Sequence, residues 1–150
     1  MRVIGGQEYF DAFWRLVPGE IYFGGFIGEW RAAMGHFDVR YIVDTTPERC
    51  CPDEVPSCEI FLCPFHDDNT LPDMRRIDEV VEVVLRALID KPGPVAVMCL
   101  MGGNRSSFLA GLLLRKIEGY SGERIFEMIK DANPDACTKG VLRDYIRSLP

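Results

Sequence analysis

The sequence predicts an α/β protein built on a small, mostly parallel sheet flanked by helices, and three observations carry that expectation. Four short apolar runs, Ile21-Tyr22-Phe23, Val39 to Val43, Glu59 to Cys63 and Val95 to Cys99, have the length and the β-branched or aromatic content of strands. Between the last two runs lies an amphipathic helix over 73–90, with Ile77, Val80, Val81, Val84, Leu85 and Leu88 at the i, i+3, i+4, i+7 spacing of one buried face. A strand, helix, strand succession of this kind pairs its strands in parallel and leaves functional groups at their carboxyl ends. The chain of 150 residues, 47% of them apolar, is read as one domain with a sizeable core.

Taken in order, residues 9–17 form an amphipathic stretch, with Tyr9, Phe10, Phe13 and Trp14 near helical spacing, closed by Pro18-Gly19. These aromatics are read as core packing. Gly24-Gly25 after the first strand reads as a turn, and Glu29 to Met34 as a short helix stopped by Gly35. The second strand ends on the turn chemistry of Asp44-Thr45-Thr46-Pro47, and a proline-rich loop leads to the third. Pro72 opens the long helix and Lys91-Pro92-Gly93-Pro94 closes it. Further helices are expected from Asn104 to about Glu118, from a Ser121 cap through Lys130, and from Lys139 to Ser148. The last of these carries Leu142, Tyr145, Ile146 and Leu149 as core candidates.

Chemistry concentrates where the fourth strand runs through a glycine-containing loop into the next helix. The backbone N–H groups of Leu100, Met101, Gly102, Gly103 and Asn104 would form a concave nest, and the positive end of the helix dipole adds to its pull on a phosphate. Cys99 at the rim stands in the same field, which favours a nucleophilic thiolate. Arg105 can fork two N–H groups onto phosphate oxygens, and Ser106 follows it directly. A buried, inert Cys99 with Arg105 on the helix surface is the plainer alternative, but a core strand requires neither the glycine nor the Arg-Ser pair.

This segment resembles the signature His-Cys-x-x-Gly-x-x-Arg-Ser/Thr of the cysteine-dependent dual-specificity phosphatases. Cys99, Gly102, Arg105 and Ser106 match it, and Met98 stands where the family has histidine. The resemblance spans roughly residues 20 to 148 and implies a dual-specificity phosphatase-like fold, with Ser106 assisting departure of the sulfur from a phosphocysteine. The tail after Lys116 is similar to the closing helices of small phage and bacterial members. Low-molecular-weight phosphatases place the cysteine loop ahead of their acid, and the rhodanese-like class lacks an upstream acid loop, so the order here favours the dual-specificity class.

Cleavage of a phosphate ester by a thiolate needs an acid to protonate the leaving oxygen. The polar, proline-bounded stretch 64–73 has the composition of a functional loop and offers two carboxyl groups. Asp68 precedes Cys99 by 31 residues and Asp67 by 32. The pattern Asp68-x-x-x-Pro72-Asp73 is similar to the acid loop of kinase-associated phosphatases, and Pro64-Phe65 followed by paired aspartates to that of regenerating-liver phosphatases. The resemblance implies Asp68 as the acid, with Asp67 in reserve, and leaves no role for His66.

A formal charge of −6 without a basic stripe speaks against nucleic-acid binding and so against RNA ends as substrate. The expected partner is a phosphorylated protein or a small phosphate ester, with phosphoinositides as an alternative. No metal or cofactor is called for, because the loop and Arg105 supply the positive charge. Adjacent Cys50 and Cys51 with irregularly spaced Cys58 and Cys63 do not make zinc knuckles. The six cysteines are expected to be reduced thiols in a cytoplasmic protein, there being no apolar leader and no long apolar span. Cys63, at a neighbouring strand end, is a candidate redox partner for Cys99. The rival from another class is an inactive phosphate-binding module in which Met98 leaves Cys99 poorly activated.

Overall fold

A computed structural model describes residues 1–16 and 19–150, so Val17 and Pro18, the end of the aromatic stretch, lie outside the described residues. The chain opens with a hairpin of β1 (Arg2–Ile4) and β2 (Gln7–Tyr9), exposed throughout and tied to the body by an Arg2–Asp11 ion pair of 2.6 Å and a Glu8–His36 contact. Strands β3 (Phe13–Leu16), β4 (Ile21–Gly25), β5 (Tyr41–Asp44), β6 (Glu59–Leu62) and β7 (Val95–Cys99) form the main sheet in the order β3-β4-β7-β5-β6. Within this sheet, among the described residues, the β3–β4 pairing alone is antiparallel. The helices are α1 (Trp30–His36), α2 (Met74–Asp90), α3 (Arg105–Glu118), α4 (Gly122–Ala132) and α5 (Gly140–Ser148).

Side-chain alternation along the strands divides the core between the two faces of the sheet. Ile21, Phe23, Tyr41, Val43, Val95 and Val97 pack with the buried sides of α2, α3, α4 and α5. Tyr22, Ile42, Ala96 and Met98 face the other way, onto Trp30, Ala33 and Met34 of α1 and onto Phe10 and Phe13. Each of these large side chains contributes about 1.5–3 kcal/mol by leaving water. The long crossover from β6 through α2 to β7 passes β5, which places β7 at the centre and its carboxyl end, Cys99, inside the edge of the sheet. None of the described helices is long and apolar enough to cross a membrane.

Three local expectations are corrected. The aromatic stretch is not helical: Phe10 and Phe13 bridge across a tight turn in which Ala12 has φ of 51°, so their three-residue spacing comes from a reversal into β3. Gly24 and Gly25 do not make a turn but are the last two residues of β4, paired with Met98 and Cys99. A β-carbon at Gly25 would lie 2.5 Å from the carbonyl carbon of Met101, so the strand stays free of side chains where the loop after β7 crosses it. Gly35 does not stop α1, which runs on to His36. The expected Ser121 cap is present, its Oγ accepting from Arg124 N–H, and Asp73, expected inside α2, caps it instead, its carboxylate accepting from the Arg75 and Arg76 N–H groups.

Candidate active site

Met98, Cys99 and the loop after them are positioned from three directions. Phe26 N–H donates to the Cys99 carbonyl (2.9 Å) and Ile27 N–H to that of Leu100 (3.2 Å), fastening the loop to the chain leaving β4. Thr45 donates to the Met98 carbonyl from both its N–H (2.9 Å) and its Oγ1 (2.8 Å). Gly102 turns the loop with φ of 85°, a conformation that disfavours any β-carbon, and an added one would meet Gly25 N at 2.6 Å. Two glycine-bearing backbones therefore touch directly.

This geometry gathers most of the predicted residues. Gly102 N–H donates to Cys99 Sγ at 3.1 Å, and Ser106 Oγ lies 3.3 Å from the same sulfur. Negative charge on the sulfur would thus meet one amide and one hydroxyl. Arg105, 6% exposed, opens α3; its Nη1 donates to the Phe65 carbonyl at 3.4 Å, while its buried Nε has no partner among the described residues. Leu100 and Met101 are exposed, and the Gly103 carbonyl accepts from Ser107 Oγ and from Cys137 N–H. Asn104 precedes α3 but does not cap it. Its Oδ1 accepts instead from Thr138 N–H (2.8 Å), Thr138 Oγ1 (3.2 Å) and Lys139 N–H (3.4 Å).

The candidate acid stands apart from this cluster. Asp67 and Asp68 are both exposed, and the Asp68 carboxylate accepts from Thr70 N–H of its own loop at 3.2 Å. Asp68 lines a cleft of about 330 Å³ with His66, Thr70, Leu71 and Arg76, and Cys99 is not in its wall. The loop nevertheless reaches the surroundings of Cys99 through Phe65, whose N–H donates to the Thr45 carbonyl (3.1 Å) and whose carbonyl receives Arg105. Thr45, which holds the Met98 carbonyl, is not singled out by the sequence, where its one signal is a threonine just after the apolar run of the second strand.

All six cysteines are free thiols. Burial pushes the thiols of Cys51, Cys63 and Cys137 up to about 11. The proposed pairing of Cys63 with Cys99 is corrected by the strand order: β5 runs between β6 and β7. Two inter-strand spacings separate their backbones by roughly 9–10 Å, beyond the ~7 Å that a disulfide spans without backbone movement. Among the described residues, no three His, Cys, Asp or Glu side chains gather into a metal-binding group.

No protein-family model matches the chain, and no curated protein matches it in sequence. A mouse protein described as a dual specificity phosphatase, crystallised with zinc tungstate, superposes with a TM-score of 0.77 at 20% identity, over 91% of this chain and 84% of its own. The fold is that of the dual-specificity phosphatases. Human DUSP28 gives 0.74 at 19% identity over 91% and 90% of the two chains. The human tyrosine phosphatase-like serine/threonine/tyrosine-interacting protein gives 0.73 at 11% over 90% and 93%.

Proposed function

We propose that this protein is a phosphoric monoester hydrolase of the dual-specificity type, working through a phosphocysteine on Cys99. The observation that carries the reading is Arg105. A guanidinium buried at a helix N-terminus with Nε lacking a partner is costly unless an anion completes it. A phosphate placed against Cys99 would take that N–H together with the amides of Leu100 to Asn104.

In the first step the Cys99 sulfur attacks phosphorus in line, and the S–P bond forms as the P–O bond to the alcohol breaks. Asp68 gives its proton to the leaving oxygen, while Arg105 and the loop amides hold the three equatorial oxygens. In the second, water attacks the phosphocysteine and Asp68 takes up its proton. The sulfur leaves as the Ser106 hydroxyl, 3.3 Å away, donates to it. The substrates are phosphorylated proteins or small phosphate esters.

The second reading, a binding module that holds a phosphorylated partner without turnover, is favoured by Met98. It is fully buried where the resembled signature has histidine, so no imidazole assists Cys99. A human phosphatase-like interacting protein shares the fold. Phosphate release from an aryl phosphate, without added metal and with reductant, from about pH 5 to about pH 8, separates the two. The hydrolase reading expects turnover in the wild type, none in Cys99→Ser, and a slowing in Asp68→Ala that is greatest for poor leaving groups. Binding of tungstate with neither turnover nor a phosphocysteine burst would establish the binding module instead.

A further inference from the structure

Two asparagines take up the same short segment of chain from opposite sides. Asn104 stands at the N-terminus of α3, where an asparagine ordinarily caps its own helix, but its Oδ1 is turned outward onto the three donors of Thr138 and Lys139. Two residues further on, α5 begins without a cap from its own flank. The orphan N–H of Val141 is met by Asn69 Oδ1 at 3.2 Å, 72 residues away and next to the candidate acid. Backbone N–H groups only donate, so the atom facing them is the amide oxygen in both asparagines. Cys137 N–H adds a third tie, to the Gly103 carbonyl at 3.1 Å.

We propose that Asn69 is a positioning residue. It latches the acid loop onto the strap 137–141, and through Asn104 and Gly103 onto the phosphate loop, so that Asp68 is held at the height of the bound phosphate. The proposal rests on the hydrolase reading for its catalytic consequence, though not for the latch itself. Residues 66–71 are exposed throughout. Within that stretch Asn69 makes the one side-chain bond, among the described residues, that leaves the loop. Without it Asp68 would keep its internal bond to Thr70 but lose its fixed distance from Arg105 and Cys99.

Amide exchange measured on wild type, Asn69→Ala and Asn69→Asp tests the latch directly. Asn69→Ala is expected to speed exchange of Val141 and of residues 66–71, and Asn69→Asp, which keeps an acceptor at the helix N-terminus, to restore protection. Unchanged exchange overturns the proposal. The second arm compares aryl phosphates with good and poor leaving groups. Asn69→Ala should slow the poor one about tenfold, a share of the roughly 10²–10⁴ that a positioned acid supplies, and the good one by less than about twofold. In an Asp68→Ala background the same substitution should add less than about twofold to the loss. Equal slowing of both esters, or an additive loss on top of Asp68→Ala, overturns the positioning role. A wild type that turns over no ester removes the hydrolase reading and with it the assignment of Asn69 to catalysis, which that result overturns, whereas the exchange data still decide the latch.

Discussion

The loop from Cys99 to Arg105 and the loop from His66 to Leu71 differ in how firmly they are held. The first is fixed to the chain leaving β4 by two backbone bonds and to the strap by Asn104, is pressed glycine to glycine against Gly25, and follows directly on Met98, whose carbonyl Thr45 holds. The second is exposed at every residue and leaves its own backbone through Asn69 alone, among the described residues. Donors that stabilise a transition state gain most when they are already in place. A proton donor on an exposed segment depends instead on whatever tie holds that segment in place, here the one proposed for Asn69. The contrast matches the two duties assigned above, and it can be broken or sharpened experimentally.

Cys99→Ser should have the largest effect, turnover falling to background while tungstate binding, followed by calorimetry, persists. Retained hydrolysis would remove the sulfur from the mechanism. Arg105→Lys comes next, because an ammonium cannot reproduce the fork. kcat should drop about 10²–10³-fold, the scale seen when one preorganised donor is lost. Asp68→Ala should cost about 10²-fold with a poor leaving group and little with a good one, whereas Asp67→Ala changes either by less than about twofold. If Asp67→Ala gives the leaving-group dependence instead, the two carboxyl groups exchange roles. Gly25→Ala tests the rigid loop without replacing any group assigned to the chemistry: a methyl group 2.5 Å from Met101 forces the loop outward. The expectation is a stability loss of about 1–3 kcal/mol in thermal or urea unfolding.

The smallest effect is on alkaline stability. Cys51, Cys63 and Cys137 have thiols raised by burial from 9.0 to about 11, so the folded state holds protons that the unfolded chain has released in that window. Their contribution is complete below about pH 9 and is lost as pH climbs toward 11. The melting temperature should therefore fall between pH 8.5 and 10.5, and less steeply in Cys63→Val. An unchanged slope in that variant would mean that Cys63 ionises as freely folded as unfolded.

Much of this arrangement is legible from periodicity and from the 99–106 pattern. The α2 stripe, the parallel pairing of β5 with β6 and β7, and the contacts of Cys99 with Gly102 and Ser106 all follow from short-range sequence. What escapes is long-range. Gly24-Gly25 has the local look of a turn; a side chain at Gly24 is excluded by the Ala12 carbonyl and Phe13, and one at Gly25 by the loop from Leu100 to Gly102, far along the chain. Phe10 and Phe13 mimic a helix because a reversal between them reproduces the same spacing. Asn69 and Asn104 are ordinary loop and cap residues until the strap between them is placed. The bond from Val141 N–H to Asn69 spans 72 residues, a pairing that no local pattern encodes.

Position 98 has a consequence for the conditions under which the site works. Its thioether is sealed between the sheet and α1, and its carbonyl is spoken for twice by Thr45. A methionine carries no proton to lose, so nothing at this position senses the acidity of the surroundings. The groups that touch the Cys99 sulfur, the Gly102 amide and the Ser106 hydroxyl, likewise keep their charge across the physiological range.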